Sequence, residues 1–265
     1  MVSALEIDVA VATKNNARTL EKCLNSIIDH LPVHHLVVVD GGSSDATLNI
    51  AQRCGSKIVH EPGLLGRVRL VQAQSCDTEW IAIIDSDIYV FEDWWPKLSP
   101  HMVDDNVGMI VGFTAPHIDD QSGTPYGRYL TYLNDKFGSI AFSNALVRRD
   151  LLLACTELLA GVHAGEDEVF AAFLKRNHLT VENVREPLCY HDTRTTSRHV
   201  DAYYRWGRSV RVRYGAAGFL RVFLSLWSFV RNWMGFNNSS PNSSNLRVIP
   251  QLVRLWICAM AGFLT

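Results

Sequence analysis

The chain of 265 residues is 48% hydrophobic and 20% charged, values that fit a globular protein with a large core and exclude a disordered chain. The net charge of −2 conceals two unlike parts. Residues 193–265 contain ten Arg, one Asp and no Lys or Glu, a charge of +9, so residues 1–192 carry −11. We therefore expect an acidic domain over residues 1–192 and a basic extension over residues 193–265 with a different role.

The cysteines and the N-terminus both favour a cytoplasmic protein. The six cysteines are scattered and form no C-x-x-C pair, as expected for reduced thiols. The N-terminal sequence MVSALEID lacks the basic and apolar stretches of a secretion signal.

In the first part, short apolar runs alternate with segments of helical periodicity. Strands are predicted at Ile7–Ala12, His35–Val39, Lys57–His60 and Trp80–Ile84, and helices at Leu20–Ile28, Asp45–Ala51 and Leu64–Cys76. Such alternation predicts a mainly parallel sheet with helices on both faces. Ligands of such sheets bind beyond the carboxyl ends of the strands. Three polar clusters lie at those ends and should line one site: Thr13–Asn16, Asp40–Ser44 and Asp85–Asp87.

The second part is less regular. Strands are predicted at Gly108–Phe113, Ile140–Val147 and Val181–Tyr190, and helices near Tyr129–Leu133 and at Glu166–Asn177. Beyond Thr196 the pattern is helical, interrupted by a polar stretch at Asn237–Asn245 that is typical of a linker.

Asp85-Ser86-Asp87 is the first candidate for chemistry. Two carboxylates that flank one residue after a buried strand repel each other unless a positive charge lies close by. A hard divalent cation supplies that charge, because Mg²⁺ and Mn²⁺ prefer carboxylates together with phosphate oxygens. The alternative is an ordinary turn at a strand end.

Two further acidic motifs have functional and structural interpretations. Asp40, followed by Gly41-Gly42, could accept hydrogen bonds from a nucleoside, because glycines allow a ligand close to the backbone. The alternative is a turn that leads into a helix capped by Asp45. Glu166-Asp167 opens a predicted helix, where an ionised carboxylate is stabilised and could act as a base. The alternative is an acid pair that complements the helix dipole.

Together these motifs resemble the family 2 glycosyltransferases, which have the GT-A nucleotide-diphospho-sugar transferase fold. The resemblance covers about Ile7–His191, and the C-terminal helical extension lies outside it. Five landmarks occur in order: Ala12-Thr13-Lys14-Asn15, Val38–Thr47, Arg69, Asp85-x-Asp87 and Gly165-Glu166-Asp167. Lys14 stands where the family often has an aromatic residue, and Gly41 where it has a second Asp. These departures leave open whether the nucleotide is of the UDP or the GDP type.

The resemblance implies a role for each matching residue in donor binding. Thr13, Asn15 and Asp40 would hold the nucleoside, Arg69 would face the base or the diphosphate, and Asp85 would contact the ribose or the metal.

It also implies the catalytic and metal-binding groups of an inverting transfer of the hexosyltransferase type. Asp87 and Asp85 of the D-x-D motif would bind Mn²⁺ or Mg²⁺, which neutralises the leaving diphosphate. Asp167, with Glu166 beside it, would deprotonate the acceptor hydroxyl. His191 could return to the metal from the last strand, or it could be an ordinary turn histidine.

The basic extension interleaves arginines with Tyr, Trp and Phe, and its longest uncharged runs fall short of the roughly 20 residues of a membrane span. We expect interfacial helices on an anionic membrane surface, at the inner face of the cell membrane. A helical cap or a dimer interface is the alternative. Nucleic acid is not expected as a partner, because the body is acidic.

These features predict a membrane-associated glycosyltransferase that acts on a glycan or lipid-linked acceptor. One alternative is a sugar-phosphate nucleotidyltransferase, although its usual glycine-rich loop is missing after the first strand. Another is a catalytically silent scaffold that binds nucleotide-sugars. No G-x-G-x-x-G follows a predicted strand, which disfavours a dinucleotide oxidoreductase.

Overall fold

The computed structural model describes residues 6–115, 129, 132–133, 136, 138–192, 196–239, 246 and 248–264, with the backbone alone for residues 196–202. The chain forms two compact units. The first contains Met1–Ala115, Ser139–Gly161 and Glu166–Asp192, and the second contains Pro116–Gly138, Val162–Gly165 and Thr193–Thr265. Two segments from within residues 1–192 thus group with the C-terminal unit.

The first unit begins with the predicted alternation of strands and helices. Its first seven elements are β1 Ile7–Thr13, α1 Ala17–His30, β2 Val33–Asp40, α2 Thr47–Arg53, β3 Lys57–His60, α3 Leu65–Gln74 and β4 Trp80–Asp85. The elements that follow are β5 Ile88–Val90, α4 Trp94–Leu98, a 3₁₀ helix Ser99–Val103, β6 Val107–Ala115, β7 Asn144–Arg148, α5 Arg149–Ala154, α6 Thr156–Leu159, α7 Glu166–Arg176 and β8 Thr180–His191.

The eight strands form one sheet in the order β3-β2-β1-β4-β7-β6-β8-β5. The first four strands are mutually parallel, as predicted. β7 is antiparallel to both β4 and β6, β6 is parallel to β8, and β5 is antiparallel to β8. The central strands are buried on both faces, so β1 and β4 contribute side chains to two separate hydrophobic clusters.

The differences from the predicted elements lie mostly where segments are short. β5 has only three residues, and α4 to α6 have four to six, too few to show a period in the sequence. β7 begins at Asn144 and not at Ile140, because residues 139–143 form a loop in which Ser143 O accepts a bond from Asp85 N. Most of the helix predicted near Tyr129–Leu133 lies outside the described residues.

The second unit contains three long helices: α8 Thr196–Tyr214, α9 Gly218–Ser239 and α10 Val248–Leu264. α8 and α10 approach closely at two glycines, because a Cβ on Gly207 would lie 1.9 Å from Ala259 O and one on Gly262 would lie 1.9 Å from Tyr204 O. The linker predicted at Asn237–Asn245 begins later, since α9 continues to Ser239, and residues 240–245 lie outside the described residues. Within the described residues, every helix is too short or too polar to cross a bilayer.

A buried amide joins the strands in the middle of the sheet. Asn144, 1% exposed at the start of β7, donates from Nδ2 to Gly112 O at 2.9 Å and accepts at Oδ1 from Trp94 Nε1. Its Nδ2 also lies 2.9 Å from Cys189 Sγ. Gly112 leaves the room that this requires, since a Cβ there would lie 2.8 Å from Nδ2. Asn144 therefore connects β6, β7, β8 and α4.

We predict that Asn144→Ala lowers the free energy of unfolding by about 2–4 kcal/mol, because a buried indole N–H and a buried carbonyl lose their partner. Urea denaturation followed by circular dichroism measures the change. Asn106→Ala is the matched control, because Asn106 is exposed in a turn and its loss should cost less than about 0.5 kcal/mol. Equal losses in the two variants would contradict this role of Asn144.

Candidate active site

The parallel strands bring the predicted polar clusters to one edge of the sheet. Thr13 at the end of β1 is the Cα partner of Asp40 at the end of β2. On the other side of β1, Ala12 is the Cα partner of Asp85 at the end of β4. The expectation that the three clusters converge at one edge of the sheet is therefore confirmed.

Asn15 ties the first two loops together. Its Oδ1 accepts from Ser44 N at 2.8 Å, and its own N–H donates to Ser43 Oγ at 2.8 Å. The φ angle of Asn15 is 48°, a left-handed conformation that Asn adopts more readily than most residues. Next to it, the hydroxyl of Thr13 is buried and makes no hydrogen bond within the described residues.

Asp40 is completely buried and organises its own loop. Its carboxylate accepts from Gly42 N at 2.9 Å and from Ser43 N at 3.0 Å, and it lies 3.3 Å from His60 Nδ1. Gly42 has a φ of 87°, which a side chain would strain. Asp40 therefore holds the glycine loop in the conformation that it would present to a ligand.

Arg69 lies at the centre of the site. Its guanidinium, on a side chain only 4% exposed, donates from Nη2 to Asp85 Oδ1 at 3.1 Å and from Nε to Glu166 Oε1 at 3.2 Å. Its Nη1 lies 3.2 Å from Gln72 Oε1, and Gln72 Nε2 donates to Ala10 O at 2.8 Å. Burial acts to lower the pKa of Arg69, but the two carboxylates outweigh it and raise that pKa. Arg69 therefore links the D-x-D turn to the start of α7.

The middle residue of the D-x-D motif anchors the turn. Asn16 Nδ2 donates to Ser86 Oγ at 2.7 Å, and Thr19 Oγ1 donates to Ser86 O at 2.9 Å. Asp192 N donates to Asp87 O at 2.8 Å. The turn is thus held by α1 on one side and by the end of β8 on the other.

Asp87 and His191 form the second charged contact of the turn. Asp87 Oδ1 lies 3.3 Å from His191 Nε2, because β5 and β8 pair Ile88 with His191. Burial lowers the pKa of His191, but the hydrogen bond to Asp87 and the charges of Asp87, Asp85 and Asp192 raise it, and the net shift is upward. A carboxylate and an imidazole at this separation could occupy two coordination positions of a divalent cation. Phosphate oxygens and water molecules would then fill its remaining positions.

Asp85, Asp87 and His191 are not a preformed three-ligand cluster, since Asp85 is turned to Arg69. In the described part of the chain, the one group of three whose ligand atoms all lie within 4.8 Å is Asp8, His34 and His35. Asp8 lies at the other end of β1, and its oxygens already accept bonds from Asp77 N and Thr78 N. Burial raises the pKa of Asp8, but these bonds and the histidines lower it overall. We interpret that group as a structural one.

Asp167 carries a carboxyl group that protonates easily. Burial and the charge of Glu166 raise its pKa to about 7, against the bond that it accepts from Glu168 N at 2.8 Å. The sequence pattern predicted a stabilised charge from the start of the helix, and that expectation is wrong. The dipole of the short helix α7 is outweighed because Asp167 lies beside a second buried carboxylate.

Several residues that order the site escaped the sequence analysis. Gln72 lies three residues after Arg69 on the same helix, a spacing that could have revealed it. His60 ends β3 as the Cα partner of Asp40, so its position at a strand end was the available signal. Asp192 binds Arg18 at 2.9 Å and Tyr89 at 3.2 Å, a long-range contact without any sequence signal.

The amino-acid sequence matches a known family. Residues 8–153, more than half of the chain, match the model of glycosyl transferase family 2. The chain belongs to glycosyl transferase family 2. The resemblance drawn from the motifs is thereby confirmed.

The curated relatives of this family 2 member are distant. An uncharacterized glycosyltransferase of Rickettsia felis is 26% identical over 145 residues, which are 51% of this chain and 50% of that protein. The pre-mycofactocin glycosyltransferase of Mycobacterium tuberculosis is 24% identical over 129 residues, 47% of this chain and 26% of that protein. The chain spans about half the length of the Rickettsia relative that it matches.

Solved structures share the GT-A fold of this family 2 member. Glucosyl-3-phosphoglycerate synthase from Mycobacterium tuberculosis in complex with Mg²⁺ and UDP gives a TM-score of 0.57 at 18% identity, covering 79% of each chain. The same enzyme with Mn²⁺ and UDP-glucose gives 0.54 at 20% identity, covering 73% of each chain. At these identities the likeness establishes the fold alone.

We predict that Arg69→Met lowers the free energy of unfolding by about 3–5 kcal/mol at pH 7, because the buried Glu166 loses its compensating charge. Urea denaturation measures the loss. The double variant Arg69→Met/Glu166→Leu should recover part of it, with a coupling energy of about 1 kcal/mol or more. Strictly additive losses of the two single variants would show that the pair does not interact.

Proposed function

We propose that this family 2 member catalyses an inverting, metal-dependent transfer of a sugar from a nucleotide-diphospho-sugar to a hydroxyl group of a lipid-linked or cell-surface glycan precursor. One observation carries the proposal: the buried Arg69 joins Asp85 of the D-x-D turn to Glu166, the neighbour of the proposed base Asp167. The segment proposed to bind the donor and the segment that carries the proposed base thus belong to one network of charged side chains, at the carboxyl ends of the strands.

The donor would bind along the strand ends. Thr13, with its unsatisfied buried hydroxyl, and the loop ordered by Asn15 and Asp40 would hold the nucleoside. Arg69 and Asp85 would contact the diphosphate and the ribose, since Asp85 is partly exposed and Arg69 lies behind it. We propose a UDP- or GDP-type donor.

A divalent cation, Mn²⁺ or Mg²⁺, would be held by Asp87 and His191, with Asp85 beside them. It would supply positive charge that stabilises the leaving diphosphate. The solved relative contains Mg²⁺ or Mn²⁺ together with UDP or UDP-glucose, which supports this donor set. Asp87 and His191, 3.3 Å apart, would keep their orientation through the pairing of β5 with β8.

Asp167 would take the proton from the acceptor hydroxyl. A base is most effective when its pKa lies near the working pH, and the pKa of Asp167 is raised to about 7. Glu166, which is bound to Arg69, would keep that pKa high and fix the start of α7. Asp167 would thus be ionised before the transfer and protonated after it.

The acceptor and the location are proposed from the C-terminal part of the chain. Its ten arginines and its exposed aromatic residues favour an anionic lipid surface, so we propose a peripheral position on the inner face of the cell membrane. A lipid-linked or surface glycan acceptor would be met there. We propose that the acceptor binds between Thr114 and Gly138 and near the C-terminal extension, where the family patterns are weakest; most of that segment lies outside the described residues.

We predict that Asp87→Asn and Asp167→Asn separate binding from transfer. Asp87→Asn should weaken Mn²⁺-dependent donor affinity about tenfold or more, because a metal ligand loses its charge. Asp167→Asn should keep donor affinity within about threefold and reduce transfer about 10²–10⁴-fold. Calorimetric titrations with UDP, GDP, CDP and their sugars, with and without Mn²⁺, measure the first effect, and release of nucleotide diphosphate measures the second.

Equal loss of donor affinity in both variants would contradict these roles. Absence of binding or turnover with every nucleotide-sugar, for folded wild-type protein, would favour a catalytically silent scaffold.

We also predict an acidic limb in the pH dependence of kcat. Asp167 can accept a proton only when ionised, so its raised pKa of about 7 implies that the rate falls as the pH drops below that value. Glu166→Gln should move the limb to lower pH, because a neighbouring negative charge is removed while an oxygen remains for Arg69. Donor hydrolysis, with water as acceptor, gives the profile. If the acidic limb of Glu166→Gln lies at the same pH as that of the wild type, the charge of Glu166 does not raise the pKa of Asp167.

A further inference from the structure

The second unit combines a strong positive charge with exposed apolar surface. Residues 202–265 contain eight arginines and no Asp, Glu or Lys. Arg205 and Arg208 are close enough to His163, in the same unit, to lower its pKa together with burial, which is the larger cause. A positive potential therefore extends over this part of the unit, and no acidic side chain between residues 202 and 265 offsets it.

The helices α9 and α10 turn apolar side chains outward. On α9 the face opposite the buried Gly218, Val222 and Phe236 is mostly apolar, and on α10 exposed apolar residues lie beside the exposed Gln251 and Arg254. We call these residues the outer face: Phe219, Leu220, Phe223, Leu224, Trp227 and Met234 of α9, and Val253, Ile257 and Leu264 of α10, each at least 36% exposed. Large apolar side chains exposed in this number are typical of a binding surface.

A cavity of about 760 Å³ lies next to the outer face. Arg208, Arg211 and Val212 of α8 line it together with Gly215, Ala216, Phe219 and Phe263. Its volume lies within the range of sites for small molecules. Two guanidinium groups thus share one cavity with apolar walls, and Phe219 belongs to both the cavity and the outer face.

The two arginines are placed differently. Arg211 Nη1 donates to Phe263 O at 3.0 Å and lies near Leu264 O at 3.5 Å, so the end of α10 fixes this side chain. The ring of Phe263 also lies 5.9 Å from its guanidinium carbon. Arg208 is exposed and has no acidic partner within the described residues. Arg211 is therefore pre-oriented, and Arg208 is available to an anion from outside.

We infer that this cavity binds the phosphate group and the first carbons of one anionic membrane lipid, while the outer face rests in the acyl-chain boundary of the same leaflet. Arg208 and Arg211 would hold the phosphate, for which a guanidinium offers paired donors. Val212, Phe219 and Phe263 would contact the apolar part of the lipid. The inference deepens the proposed membrane association and rests on it for its setting.

The chemistry favours a lipid over a free phosphate or a second protein copy. A free phosphate would leave the apolar walls and the outer face in water, whereas a lipid covers both. A second copy that met this surface with the same segment would bring its own arginines to it, and residues 202–265 offer no acidic side chain to meet them. Charge and hydrophobicity therefore both match an anionic leaflet.

The test measures binding of the full chain, without nucleotide-sugar, to vesicles of phosphatidylcholine alone or with one fifth phosphatidylglycerol. Arg208→Gln should weaken binding to the anionic vesicles about twentyfold or more, exceeding the roughly fivefold effect of one charge near such a surface. Arg231→Gln is the matched control, because Arg231 is an exposed arginine of α9 outside the cavity. It should stay within that fivefold range.

A second arm separates the sources of phosphate. Calorimetry with a short-chain phosphatidylglycerol, below its critical micelle concentration, should show that the wild type binds this lipid and that Arg208→Gln does not. Inorganic phosphate at the same ionic strength should not compete with the lipid for the wild type. Competition by inorganic phosphate would assign the cavity to a free anion and overturn the inference.

Three other outcomes would overturn it as well: equal effects of Arg208→Gln and Arg231→Gln, no preference for anionic vesicles, or a stable dimer in sedimentation velocity that excludes vesicles. Circular dichroism verifies that each variant is folded. Donor hydrolysis in the absence of lipid, which should be unchanged in Arg208→Gln, tests the proposed transferase function separately.

Discussion

One buried guanidinium constrains the whole site. Arg69 lies under the ends of the parallel strands and binds the carboxylates of Asp85 and Glu166, which are 81 residues apart in sequence. Two acids this close to a buried position would repel each other and lose hydration, so they require a fixed positive charge. Gln72 and the ring of Phe142 hold the guanidinium in place. A single side chain therefore links the D-x-D turn directly to the start of helix α7.

The same constraint shapes the acid–base behaviour of the site. Arg69 donates hydrogen bonds to Asp85 and Glu166. Its charge also acts to lower the pKa of Asp167, but burial and the charge of Glu166 outweigh it and raise that pKa. A helix start alone would stabilise the ionised form. For the pKa of Asp167, desolvation and a neighbouring like charge therefore outweigh the dipole of a short helix. A carboxyl group with a pKa near neutrality follows from this competition.

The sequence predicted the parallel half of the sheet closely, because each strand is a continuous apolar run buried on both faces and ends in a polar cluster. The convergence of Thr13, Asp40 and Asp85 followed from that topology alone. The antiparallel β7 and the three-residue β5 were not predictable in this way, since their pairing is decided by contacts distant in sequence. The pKa of Asp167 escaped prediction for the same reason: it depends on burial, which a local pattern does not report.

The C-terminal helices expose apolar side chains that their own packing does not cover. α8 and α10 pack closely through Gly207 and Gly262, yet the apolar residues of the outer face gain nothing from that packing. Apolar side chains at the surface of a helix cost solubility unless a partner covers them. Eight arginines without one acid make a contact between two copies of this segment unfavourable and make an anionic, apolar environment favourable. A nucleic acid would satisfy the arginines but leave the outer face exposed to water, whereas a lipid leaflet satisfies both properties at once.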